Sequence, residues 1–131
     1  MIEEKLDIWD AYDAGAIVCI TTNGFVKGNG EAVMGRGVAR QAVWRWPYLP
    51  RMLGQLLSTY GNHVRILVDR LLAFPVKGES GINTGENVVT HMSRKFRPGS
   101  WVPGWALKAD LEIIARSLQE LDRQRQIRGW N

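Results

Sequence analysis

One segment restricts this chain more than any other. Residues 16–22, Ala-Ile-Val-Cys-Ile-Thr-Thr, are β-branched and almost wholly apolar. Such a run predicts a strand buried on both faces, as in the sheets of α/β proteins. Asn23-Gly24 interrupts it, and Gly28, Gly30, Gly35 and Gly37 follow within residues 25–37. That glycine density excludes the interior of a regular element. Val38, Ala39, Ala42, Val43 and Trp46 then recur at helical spacing, and Pro47 ends the helix. In α/β folds ligands bind at the carboxyl ends of strands. The free N–H groups and positive dipole end of the following helix suit a phosphate there.

The rest of the chain supports an α/β reading. Leu49, Met52, Leu53, Leu56, Leu57 and Tyr60 form a second apolar helical stripe, with Pro50 in its first turn and Gly61-Asn62 as its stop. Residues 64–68 and 71–76 are short β-type runs around Asp69-Arg70, joined as a hairpin or by a kink. Glycines make residues 77–86 a loop, residues 87–96 lean towards a short helix, and Pro98, Gly99, Pro103 and Gly104 make 97–104 a loop. Leu107, Leu111, Ile114, Leu118 and Leu121 predict a last amphipathic helix with a basic end at Arg123, Arg125 and Arg128. Alternating strands and helices predict a layered α/β domain. With no repeat or linker, residues 1–131 read as one domain, at a length ordinary for a single core.

Composition narrows the function classes. Cys19 is the one cysteine, which excludes an internal disulfide framework and a cysteine zinc cluster. No His/Cys/Asp/Glu spacing suggests a metal, so neither metal nor redox cofactor is expected. No apolar run approaches the ~20 residues of a membrane span, and Glu3-Glu4 is unlike a signal peptide. The expectation is a soluble cytoplasmic domain with no membrane partner. Charge is uneven: residues 1–31 hold six acids and two bases, whereas residues 36–70 hold six arginines and one acid. Arg94, Lys95 and Arg97 form a further basic group. This asymmetry suits an anionic partner as well as simple solubility.

Two common phosphate motifs fail in the glycine loop. Residues 30–37 have the glycine spacing of a P-loop, but Arg36 stands where lysine is required and Gly37 where a magnesium-binding hydroxyl is required. After Gly28 and Gly30, the third glycine of a dinucleotide fingerprint is replaced by Val33. Instead, residues 20–42, ITTNGFVKGNGEAVMGRGVARQA, resemble the first ligand loop of a macro domain, the ADP-ribose-binding module. The likeness is to the branch of ADP-ribosyl hydrolases that act on DNA and acidic protein side chains, and to short phage or bacterial relatives. Leu6-Asp7-Ile8, Phe74-Pro75-Val76-Lys77, Trp105 and Ala109-Asp110-Leu111-Glu112-Ile113-Ile114 match in order along the chain.

The resemblance implies a three-layer α/β/α fold with a central mixed sheet. The family continues with a strand, a second glycine-rich loop and a helix, so the chain is expected to lack these. It also implies roles. Asp7 and Ile8 would face an adenine. Asn23 would hold the hydroxyls of the distal ribose and share in catalysis. Backbone amides of Val33, Met34, Gly35, Arg36, Gly37 and Val38 would hold the diphosphate. Pro75 would lie beside the ligand, and Lys77 would act at the distal ribose. Asparagine is a neutral donor and acceptor suited to vicinal hydroxyls. A desolvated lysine acts at an anomeric carbon as a charge or a nucleophile. The implied function is ADP-ribose binding with hydrolysis of ADP-ribosyl linkages on a macromolecule, or of ADP-ribose 1''-phosphate.

Two alternatives stand beside it: a non-catalytic ADP-ribose or nucleotide reader, and a nucleic-acid-binding domain using the arginines of residues 36–70 with Trp44 and Trp46. Cys19 reads as a core residue, His63 as a turn residue, and His91 as lying near the loop without a metal partner. Asp69 and Glu79 flank Lys77 and are candidates for activating water. Trp101, Trp105 and Trp130 are candidates for covering the cleft.

Overall fold

The computed structural model describes residues 7–130. Leu6 of the Leu6-Asp7-Ile8 segment, the acidic start at Glu3-Glu4, and Asn131 lie outside the described residues. The chain is mixed α/β with a small mixed sheet. Helix α1 spans Ile8–Asp13 and strand β1 Val18–Thr22. Helices α2 (Gly37–Arg45) and α3 (Leu49–Tyr60) follow. Strands β2 (Arg65–Val68) and β3 (Leu71–Pro75) form a hairpin whose turn residue Asp69 has φ 47°. Strands β4 (Ser80–Ile82) and β5 (Trp101–Pro103) enclose a 3-10 helix, Thr90–Lys95. A further 3-10 turn, Gly104–Ala106, leads to α4, Leu111–Arg128.

Strand order in the main sheet is β1-β3-β2. β1 runs parallel to β3, with Val18 opposite Leu71 and Thr22 opposite Pro75, and β2 is antiparallel to β3. Parallel neighbours need a crossover connection, here supplied by the loop, α2, α3 and β2. Ile20 and Leu71 are fully buried and pack with Ala42, Leu49, Leu53 and Leu57 of α2 and α3, and Leu72 is fully buried as well. Burying each large aliphatic side chain contributes roughly 1.5–3 kcal/mol.

Three expectations change. β1 is buried on one face: Val18, Ile20 and Thr22 point inward, Cys19 is half-buried and Thr21 is exposed. Among the described residues it pairs on one side only. An unbroken apolar run therefore did not require burial on both faces. Second, the segments read as loops at 77–86 and 97–104 contain β4 and β5, paired with Ser80 opposite Pro103. Proline fits because it needs no ladder donor at the strand end. Together with the 3-10 helix these strands build a satellite core of Val88, Val102 and Ala106, flanked by Met92, Phe96, Trp105 and Leu107. Third, the last helix starts at Leu111, capped by Asp110, whose Oδ1 accepts from Glu112 N at 2.9 Å. Leu107 falls before it and bridges to Val88. Ser117 is fully buried, Ile114 and Leu121 of the stripe are half-buried, and Leu111 and Leu118 are exposed. No described helix is long and apolar enough to cross a membrane.

The tryptophans divide by position. Trp9, Tyr12 and Trp46 pack edge-to-face, and the Arg45 guanidinium lies 5.0–5.4 Å from all three ring centres. Arg45 also pairs with Asp13 at 2.6 Å, and that hydrogen bond holds the Asp13 carboxyl below its usual range. Trp44 is exposed, with Arg40 near its ring.

Candidate functional site

β1 ends at Thr22, and the chain turns at Asn23 into the glycine loop. The Asn23 side chain is buried and bridges that loop: Nδ2 donates to the Val33 carbonyl at 3.2 Å, and Oδ1 accepts from Phe25 N at 3.0 Å. A second clamp comes from α3, where Ala32 N donates to the Pro50 carbonyl at 2.8 Å. The loop closes on itself through Lys27 N to Glu31 O, and through a bridge between Val26 and Ala32. Gly54 of α3 meets the loop so closely that an added Cβ would overlap the Gly30 carbonyl oxygen. The glycines are thus used for packing as well as for turning.

Between this loop, the end of β3 and the satellite unit lies a cleft of about 350 Å³. Thr21, Thr22 and Asn23 form one side of it. Val33, Met34, Gly35, Arg36 and Ala39 form the second, and Val76, Lys77, Val89, His91 and Trp105 complete it. Among the described residues no carboxylate lines it. Arg36 precedes α2 without capping it by a side-chain bond. The Lys77 ammonium donates to the Trp105 carbonyl at 3.4 Å. Burial pushes the Lys77 pKa below its ordinary value, and the nearby Arg36 charge adds to the shift. Arg36 Nη1 lies 3.1 and 3.3 Å from the two ring nitrogens of His91. The Thr22 hydroxyl is buried and has no hydrogen-bond partner among the described residues.

The lysine strand is itself fixed from behind. Asn62 Nδ2 donates to the Lys77 carbonyl at 2.9 Å, and Gly24 N donates to the Gly78 carbonyl at 3.0 Å. Ser117 Oγ of α4 donates to the Pro75 carbonyl at 2.6 Å. Glu120 of the same helix pairs with His63 Nδ1 at 2.6 Å. His63 is therefore tied to α4 as well as lying in the turn after α3.

Of the residues singled out in the sequence, the cleft brings together Asn23, Val33, Met34, Gly35, Arg36, Lys77, His91 and Trp105. Pro75 lies outside its lining, buried in β3. Asp7, Ile8 and Val38 line a separate open groove of about 640 Å³ with Trp9, Gln41, Trp44 and Arg45. There Asp7 caps α1, its Oδ1 accepting from Trp9 N at 2.9 Å. Gly37, with φ 58°, starts α2 and lines neither cavity. Asp69 and Glu79 are exposed and lie outside the cleft lining, and Trp101 packs on Phe25 rather than over Lys77. Cys19 is half-buried, and burial raises its thiol pKa, which fits an inert core thiol better than a nucleophile. Among the described residues no group of three or more His, Cys, Asp or Glu side chains could hold a metal ion. Thr22 and Val89 escaped the sequence reading. Thr22 looked like strand interior, and Val89 sits in a segment without a motif.

Comparison with protein-family models, curated proteins and solved structures gives no significant match to this chain.

Proposed function

We propose that the cleft binds ADP-ribose and that the protein hydrolyses ADP-ribosyl linkages, on a macromolecule or as ADP-ribose 1''-phosphate. The observation that carries this reading is the meeting of Asn23, the 33–36 backbone and Lys77 around one cavity, from three separate stretches of chain. The diphosphate would lie on the 33–36 backbone ahead of α2, where free amides and the helix dipole favour anions. Asn23 keeps one amide hydrogen and part of its carbonyl capacity beyond its two bonds to the chain, enough to contact a ribose hydroxyl. The groove carrying Asp7, Ile8 and Val38 would take the adenine. The macro-domain-like three-layer arrangement belongs to this same proposal.

Lys77 is the candidate catalytic group. A lowered pKa enlarges the neutral amine fraction, as a nucleophile at the anomeric carbon requires. As an ammonium it would instead stabilise charge on the departing group.

A second reading, a non-catalytic ADP-ribose reader, draws on a specific observation: among the described residues the cleft lining holds no carboxylate to activate water. Lys77→Ala separates the two. Loss of turnover with ADP-ribose affinity retained supports catalysis. Wild-type protein that binds ADP-ribose but releases it from no ADP-ribosylated DNA, protein or 1''-phosphate substrate supports the reader.

A further inference from the structure

Three groups able to carry positive charge converge on the cleft from three elements. Arg36 comes from the loop before α2, Lys77 from the exit of β3, and His91 from the 3-10 helix of the satellite unit. The other charged groups on α2 and on the turn that carries His91 are Arg40, Arg45, Arg94 and Lys95, all basic, while Glu31 of the glycine loop and Glu79 beyond Lys77 lie outside the cleft lining. Among the described residues no carboxylate in the lining offsets them. Like charges gathered in a concave, partly desolvated place are unfavourable unless an anion joins them.

The contact between Arg36 and His91 has an unfinished geometry. One Arg36 nitrogen, Nη1, faces both ring nitrogens, at 3.1 and 3.3 Å. A neutral imidazole accepts at only one of its nitrogens, and an imidazolium accepts at neither. The rest of the guanidinium fork is left without a protein acceptor among the described residues. A planar fork beside an imidazole is an arrangement suited to a phosphate oxyanion, which can accept from both at once. Both side chains are exposed at the cleft, so neither is needed to hold the core.

We infer that Arg36 and His91 form a clamp for a phosphate group lying beyond the diphosphate of the ligand, on the Lys77 side of the cleft. Its position beyond the diphosphate rests on the ADP-ribose reading; the phosphate site itself does not. Arg36 lines the same cleft as Lys77 and His91 and is absent from the lining of the Asp7 groove, which puts it at the Lys77 end. The ligand chemistry is a phosphate monoester or diester carried by the group from which ADP-ribose is released.

The chain has two histidines, so each ring is its own probe and control. Inorganic phosphate is titrated into the full chain at constant ionic strength while the ring-proton NMR signals of His91 and His63 are followed. The clamp predicts a saturable shift of His91 with His63 unmoved. Arg36→Ala, which keeps its backbone amide, weakens that response at least ten-fold, and Arg36→Lys recovers part of it. The response persists with ADP-ribose at saturation. Ribose 5-phosphate and a short oligothymidylate are then tested as competitors. Displacement of phosphate by either supports the clamp and identifies its source as a monoester or a diester; displacement by neither overturns it. The proposal also fails if His91 is silent, if His63 moves equally, if Arg36→Ala has no effect, or if ADP-ribose abolishes the response. A phosphate response without any ADP-ribose binding removes the ADP-ribose reading and leaves the clamp standing.

Discussion

The Asn23 amide donates to the Val33 carbonyl at 3.2 Å and joins residues ten apart in sequence at the edge of one cleft. The loop between them is held in shape by this bond and by Asn23 Oδ1 on Phe25 N. Asn23→Ala removes both. Each buried hydrogen bond contributes about 1 kcal/mol, and the orphaned Phe25 N and Val33 O add to the loss. The expected effect is a destabilisation of about 1–3 kcal/mol by urea unfolding, with loosened loop amides in hydrogen exchange.

Gly54 supplies a sharper test of how the loop is held. A methyl group there would overlap the Gly30 carbonyl. Gly54→Ala improves helix propensity by nearly 1 kcal/mol in isolation. Overlap with backbone is expected to outweigh that gain, for a net loss of roughly 1–3 kcal/mol. A stabilised Gly54→Ala variant in thermal unfolding would mean that α3 and the loop do not touch as described.

Much of this was legible in the sequence, for identifiable reasons. The glycine loop, α2 and α3 follow from local chemistry: glycine density, Pro47 and Pro50, and an i, i+3, i+4 stripe. The β2–β3 hairpin was visible as an alternative to a kink, and Asp69 at positive φ decides for the hairpin. What stayed hidden depends on partners distant in sequence. β4 and β5 are three residues each, rich in glycine and proline, and exist only because Gly81 meets Val102. On α4, Ile114 and Leu121 of the apolar stripe are half-buried beside Ser117, whose bond to Pro75 no hydropathy stripe announces. In the cleft, Asn23, Arg36 and Lys77 were legible as residue types beside glycines, whereas the approach of His91 to Arg36 depends on the satellite unit.

Ser117 links α4 to the residues just before Lys77. Its hydroxyl donates to the Pro75 carbonyl at 2.6 Å in a fully buried setting. Ser117→Ala leaves that carbonyl unpaired, at a cost of about 1–3 kcal/mol. Because β3 carries Lys77 at its exit, turnover is expected to fall several-fold while the fold persists; denaturant melts and single-turnover rates measure the two effects.

Lys77 is expected to oppose stability and support function. Its folded pKa is lowered by burial, then by Arg36, relative to the unfolded chain. The unfolded state therefore holds the proton more tightly, so stability rises with pH as Lys77 deprotonates. The penalty is fully present below the folded pKa and disappears as pH climbs through it towards the ordinary lysine value. Lys77→Met is expected to be more stable than wild type at neutral pH, with the difference closing as alkaline pH is approached. Its turnover is expected to fall on the order of 100-fold or more. Denaturant melts across pH, paired with rate measurements, check both halves.

Isothermal titration of ADP-ribose into the wild-type chain and into Asn23→Ala tests the account most directly. A single saturable site in wild type, weakened on the order of ten-fold or more in Asn23→Ala, is the predicted result. No heat of binding from folded wild-type protein would contradict it.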